Sequence, residues 1–320
     1  MNDLKKIELH LHLDGSLDLN DIKKRYGLSD SEIKEKMVVS DNCQSLNDYL
    51  SKFDFPIRIL QTREELETAI TSILEKQKKD NVIYTEIRFA PQLHTHKGLT
   101  QEEVVKTLLE AKAKVDVKSN LILCLMRGSD NDLENYETLN LAKKYLNKGV
   151  CAIDLAGNEG LYKTSNYKEI FALAKKNNIP FTIHAGEADG TSSIKDAISF
   201  GAKRIGHGVR SIEDDQLLDF IIKNNITLEV CPTSNIQTGI YDSYSNHPIE
   251  KLYKKGVKVT INTDNMTVSN TTLANEYSSI INNTNLTKED IINMNTNSIK
   301  AAFISEDLKS ELMSEIMLNS

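Results

Sequence analysis

From Ile7 to Leu13 the chain reads Ile-Glu-Leu-His-Leu-His-Leu, an alternation of period two that marks a β-strand with one apolar face. Short β-like runs are read at 6–14, 82–90, 119–127, 149–156, 180–185, 203–207, 226–232 and 257–263. Longer amphipathic stretches with helical spacing lie between them, for example 101–117 and 167–178. Strands alternating with helices imply a parallel sheet. Eight such units predict a (β/α)8 TIM barrel, an α/β fold, as one domain over 1–320. Residues 18–80 break the rhythm, because one helix would suffice there. An insertion after the first strand falls at the barrel mouth, so it reads either as a helical lid with an apolar underside or as a helix pair on the flank. After the last strand, 286–303 and 305–318 both read as helices that finish or cover the barrel, the second opening at Ser305.

Composition narrows the function. The chain has 320 residues, 39% of them hydrophobic, enough for a sizeable core. Its formal net charge is −7 and its lysines are scattered, which argues against nucleic acid as a partner. The apolar run 121–126 is far short of the roughly 20 residues a membrane helix needs. The first residues show no secretory signal. Cys43, Cys124, Cys151 and Cys231 are far apart and form no Cys-x-x-Cys, which points to a reducing, cytoplasmic setting and away from cysteine-bound zinc. Nothing in the sequence sets an oligomeric state.

The chemistry gathers at strand ends. Side chains two apart on a strand share a face, roughly 6.8 Å apart along the chain, so His10 and His12 reach into one place. The C-terminal ends of barrel strands carry catalytic groups. Here those ends add Asp14, Asp154-Leu155-Ala156-Gly157, His184-Ala185-Gly186-Glu187, Gly206-His207-Gly208 and Asn262-Thr263-Asp264-Asn265. His10, His12, His184 and Asp264 offer three imidazoles and one carboxylate, a set suited to zinc or a similar divalent ion with room for water. Such an ion lowers the pKa of its water toward about 7. Glu187, three residues past His184, is placed to donate a proton, and His207 to orient the water or carry a proton. Each of these has a structural alternative when taken singly. His94 and His96 form a second His-x-His in a loop, and both read as surface residues. His247, before Pro248, reads as structural. Glu86 and Arg88 alternate on the second strand and read as an interior ion pair.

These motifs, with Cys231-Pro232-Thr233-Ser234-Asn235, resemble the adenosine deaminase family in order and spacing from about residue 5 to residue 310. The resemblance implies a (β/α)8 amidohydrolase with one catalytic Zn2+ per chain held by His10, His12, His184 and Asp264. It implies that Glu187 protonates purine N1 and that His207 assists attack at C6, turning adenosine into inosine and ammonia. Gly157 would offer its N–H to ring N3, and Asp14 would bind the ribose 5′-hydroxyl. Residues 45–60 resemble the family's hydrophobic gate. Two-metal relatives use a bridging lysine on strand four, and this strand has none.

Asn265 departs from the pattern, since many members have aspartate there. Ring N7 is an acceptor and an asparagine amide donates at any pH, so Asn265 is expected to keep that contact. Adenine deaminases of the group tend to carry Glu at position 14, and the modified-AMP enzymes Asn. Asp14 therefore favours adenosine and 2′-deoxyadenosine over AMP. The alternatives are a deaminase of adenine or aminofutalosine and, in a different class, a metal-containing nucleoside binder without catalysis.

Overall fold

The computed structural model describes residue 1, residues 3–40, residue 43 and residues 45–318. Residues 2, 41, 42, 44, 319 and 320 lie outside that description, so the insertion over 18–80 and the domain over 1–320 are followed only in their described parts. Eight strands form in the order read from the sequence: β1 (Lys6–His12), β2 (Val82–Phe89), β3 (Lys118–Met126), β4 (Val150–Ala156), β5 (His184–Ala185), β6 (Arg204–His207), β7 (Thr227–Val230) and β8 (Lys258–Ile261). They make two four-stranded parallel sheets, β1-β2-β3-β4 and β5-β6-β7-β8. Two seams close the ring. Ile153 of β4 bridges Phe181, and Leu11 of β1 bridges Asp264 just past β8. At the second seam the His12 N–H donates to the Asp264 carbonyl and the Asp264 N–H to the His10 carbonyl, each at 2.8 Å. The barrel closure itself therefore fixes Asp264 beside the two histidines of β1.

The ladder of β5 is shorter than the run 180–185, although the chain there lies along both neighbours. Pro180 has no N–H and only accepts, from Ile153, while Thr182 donates back to Ile153 and Ile183 accepts from Gly206. β7 stops at Val230 rather than at residue 232 because Pro232 opens the helix Pro232–Gln237.

Alternation on β1 separates two environments. Leu11 and Leu13 join the main apolar core, while Ile7 and Leu9 pack with Ile299, Leu312 and Ile316. Those last three belong to the helices Lys288–Ala301 and Glu306–Met317, the two read after the final strand. Ser305 caps the second of them through the Leu308 N–H. The opposite face of β1 looks into a barrel filled with charge. Arg88 pairs with Asp154 and Glu229 at 2.8 Å each, and Arg204 pairs with Glu86 and Glu229 at 2.5 Å each. All five side chains are buried. The expected Glu86–Arg88 pair is thus corrected. Neighbours on one strand face run side by side, whereas a guanidinium fork needs carboxylates facing it, and strands across the barrel supply them.

Both readings of the insertion hold, for different parts of it. The helices Leu19–Tyr26 and Asp30–Met37 sit on the flank, with Ile22, Ile33 and Met37 in the core. The helix Leu46–Leu50, the 3₁₀ turn Ser51–Phe53 and the helix Asp54–Ile59 lie over the mouth. No helix among the described residues is long and apolar enough to cross a membrane.

Candidate active site

β1, β5 and the turn after β8 bring four ligand atoms together. His184 Nε2 lies 3.1 Å from His10 Nε2 and 3.2 Å from His12 Nε2. Asp264 Oδ1 lies 3.4 Å from each of the latter two. Ligands about 2.0–2.1 Å from a tetrahedral ion stand about 3.3 Å from one another, so this donor set fits one small divalent cation. His207 also brings a ring nitrogen into this space, within 4.8 Å of ligand atoms of His10, His184 and Asp264. His12 Nε2, 3.2 Å from His184 Nε2 and 3.4 Å from Asp264 Oδ1, shares this space, and the His207 ring lies beside it with its centroid 5.3 Å from that of His184.

The atoms behind the set hold its rings in place. Glu229 Oε2 is 3.0 Å from His10 Nδ1, which directs Nε2 inward. Asp154 Oδ2 is 2.8 Å from His184 Nδ1, a close contact without the alignment of a hydrogen bond. Burial opposes charge on both carboxyls, yet the guanidinium of Arg88 and the facing histidines and arginine hold them well below the usual carboxylate range. Burial likewise opposes charge on Asp264, and His10, His12 and His207 overcome it. Asp264 and His207 both take left-handed backbone, each at φ 59°, which non-glycine residues rarely adopt. Glu8 locks the same corner by accepting from the His10 N–H, the Thr263 N–H and the Thr263 hydroxyl.

Glu187 is buried next to the ligand set, with Oε2 3.6 Å from His207 Nε2. Burial, together with the charges of Asp264 and Glu159, pushes its carboxyl well above the usual range, which favours the protonated acid. Its loop is held by Glu159, whose carboxylate accepts from the N–H groups of Gly186, Glu187, Ala188 and Asp189 at 2.6–3.1 Å. Arg127 reinforces the same corner by donating to the carbonyl of His184 at 2.7 Å. Sequence reasoning assigned neither Glu159 nor Arg127 a role. Neither stands in a spacing that marks it, because each acts on backbone brought near only by folding.

In front of the ligand set lies a cavity of about 330 Å³, at the lower end of the size of ligand pockets. Its lid side is Leu46, Tyr49, Leu50, Phe53, Asp54 and Ile57, and its floor includes His12, Asp14, Gly157, His184, Glu187, His207, Asp264 and Asn265. Phe55 faces the flank against Tyr26. Asp14 Oδ1 is buried without a partner, and burial raises the carboxyl pKa to about 6. Gly157 has φ 103°, and a Cβ there would press on Arg127. Asn265 donates from Nδ2 to the Tyr49 hydroxyl at 3.0 Å, and its Oδ1 has no partner. Tyr49, unassigned in the sequence, thus ties the lid to the floor.

The reading of His94 as a surface residue is corrected, while His96 is exposed. His94 is buried, its Nδ1 is 3.0 Å from the Leu60 carbonyl, and burial lowers its pKa to about 4. The end of the insertion covers this loop, and the Gln61 side chain clasps it through the Leu93 carbonyl and the His96 N–H. His247 is structural in place, with both ring nitrogens engaged by Asn235 and Ile249.

Comparison with known proteins follows the same lines. The family model described as Adenosine deaminase matches residues 5–318. The adenosine deaminase of Haemophilus ducreyi is 42% identical over 326 residues, covering 97% of this chain and 95% of its own length. That of Clostridium acetobutylicum is 41% identical over 326 residues, covering 98% and 97%. Among solved structures, Arabidopsis ADAL complexed with GMP superposes with a TM-score of 0.87 at 26% identity, covering 100% of this chain and 98% of that one.

Proposed function

This chain belongs to the adenosine deaminase family, and on that premise we propose that it hydrolyses adenosine and 2′-deoxyadenosine to inosine, or 2′-deoxyinosine, and ammonia, using one zinc ion held by His10, His12, His184 and Asp264. The observation that carries the reading is a buried Glu187, 3.6 Å from His207 Nε2, beside a donor set spaced for one cation. When bound, the ion supplies water of lowered pKa at neutral pH. Glu187 gives its proton to purine N1 and so draws electron density away from C6. Water oxygen adds at C6, one water proton passes to N6, the C6–N6 bond breaks and ammonia leaves, while the other water proton returns to the Glu187 carboxylate and N1 keeps the hydrogen it received. His207 holds the incoming water, and the Gly157 N–H donates to ring N3. The lid residues Leu46, Leu50 and Phe53 cover the base and exclude bulk water. Four unpaired cysteines and the nucleoside chemistry fit a cytoplasmic enzyme of purine salvage.

Substrate choice follows from Asp14. Its unpartnered Oδ1 accepts a hydrogen bond from the ribose 5′-hydroxyl, and at neutral pH its charge opposes a 5′-phosphate. The Arabidopsis neighbour holds GMP, a nucleotide, so the two cases are separable by assay. Like charges brought together cost several kcal/mol, so kcat/KM for AMP is expected to be at least about a hundredfold below that for adenosine. Ammonia release from adenosine, 2′-deoxyadenosine, AMP and adenine tests this, and faster turnover of AMP or adenine would overturn it.

Asn265 uses one amide hydrogen on Tyr49 and has a second for ring N7. Asn265→Ala is expected to lower kcat/KM roughly tenfold, the loss of one hydrogen bond in a buried site. Unchanged KM and kcat would remove the N7 contact from the assignment.

A further inference from the structure

One ring nitrogen beside the ligand set has two possible states. His207 Nε2 faces Glu187 at 3.6 Å, Nδ1 is turned to Asn235, and the ring brings a nitrogen within 4.8 Å of ligand atoms of His10, His184 and Asp264. With its lone pair free, that nitrogen would be a further ligand. With a proton, it is a hydrogen-bond donor and cannot bind a metal.

A chain of hydrogen bonds running away from the site decides between the two. It begins at the backbone N–H of Ile249, which can only donate, and which donates to His247 Nδ1 at 3.2 Å. His247 Nδ1 is therefore bare, and the neutral ring carries its proton on Nε2. Burial lowers the pKa of His247 to about 3, in keeping with a neutral ring. His247 Nε2 lies 3.2 Å from Asn235 Oδ1, so the amide oxygen accepts and the amide orientation is set. The Asn235 nitrogen then faces His207 Nδ1 at 3.0 Å and donates to it. His207 Nδ1 is left bare, and its proton sits on Nε2. His247, Asn235 and His207 are all buried, so water does not compete for these bonds. Each orientation follows from the one before it and rests on a donor that cannot reverse.

We propose that Asn235 and His247 are positioning residues that fix the proton of His207 on Nε2, so that this ring faces the reacting water as a donor and stays out of the cation's ligand set. The catalytic consequence rests on the deaminase reading, whereas the protonation pattern does not. The relay spans the helix Pro232–Gln237 and the turn before the helix Ile249–Lys254. It thereby couples the peptide after β7 to the ring at the end of β6.

The test is imidazole nitrogen NMR on the full-length protein without substrate, metal-loaded and metal-free, with the His207 signals assigned by their loss in His207→Asn. The native ring should carry hydrogen on Nε2 and none on Nδ1. Asn235→Asp keeps the shape, and its carboxylate can accept from both rings, so it should place a proton on His207 Nδ1. In that variant kcat should fall roughly ten- to hundredfold, the range for groups that orient a site from behind it. KM and bound metal should stay within about twofold of the parent. His247→Gln, whose amide can still donate to Asn235, should keep more of kcat than His247→Phe. A protonated Nδ1 in the native protein, a bare Nδ1 in Asn235→Asp, or equal losses in the two His247 variants would overturn the proposal. The NMR arm reads the relay even if adenosine is not turned over, so its failure is distinct from failure of the deaminase reading.

Discussion

Replacing Glu187 with glutamine is expected to lower kcat for adenosine by about a thousandfold, within the range for loss of a positioned general acid, while KM and metal content change little. The substitution keeps the shape of the side chain, and the backbone around it is held from both sides. The Glu187 N–H donates to Glu159 at 2.9 Å, and its carbonyl accepts from Arg210 Nε at 3.0 Å. A glutamine amide can still donate a hydrogen bond to N1, so binding survives. It cannot release a proton, so N1 stays neutral and C6 stays a poor electrophile. The effect therefore falls on the chemical step alone, which separates it from damage to the fold. Ammonia release under saturating adenosine, with metal measured on the same sample, is the readout. A loss of less than about tenfold, or a collapse of KM and metal content along with kcat, would place the proton elsewhere.

The residues legible from sequence are those whose placement is local. A period of two puts His10 and His12 on one face wherever β1 lies, and strand ends on a barrel converge whatever the loops do. Hence the ligand atoms of His10, His12, His184 and Asp264 could be grouped before any coordinates, and the structure brings those atoms together. The groups behind them were not legible in the same way. Glu229 comes from β7, Asp154 from β4 and Arg88 from β2, and their partnership depends on side chains meeting across the barrel. Glu86 and Arg88 do not pair for that reason: proximity along a strand does not turn a carboxylate toward its neighbour's guanidinium, and each finds its partner across the barrel. His94 stands in a loop, where spacing alone implies solvent, and its burial comes from an insertion far back in sequence whose Leu60 carbonyl meets its ring. Glu159 is the plainest case. One carboxylate collects four backbone N–H groups of another loop, and no spacing in the sequence announces an acceptor whose donors are main chain.

Removing the metal is expected to have the largest effect. Treatment with a chelator should abolish deamination, and adding Zn2+ back should restore it, because the nucleophile depends on the ion. The protein's own side chains give a second, independent readout. His10 and His12 each lie 3.1–3.4 Å from both His184 and an ionised Asp264, largely out of solvent, an arrangement that a cation holds together and that is strained without one. An ion present at about a thousandfold over its Kd stabilises the folded state by about 4 kcal/mol. At about 2 °C per kcal/mol for a chain of this size, Tm should fall roughly 8 °C on chelation. His184→Ala removes the shared vertex of the set, so it should bind little zinc, remain inactive with zinc in excess, and show no rise in Tm when zinc is added. Metal-free protein that keeps full activity, or a Tm indifferent to chelation, would remove the cation from the mechanism. Restoration by another divalent ion at levels where zinc fails would keep the site and change the metal.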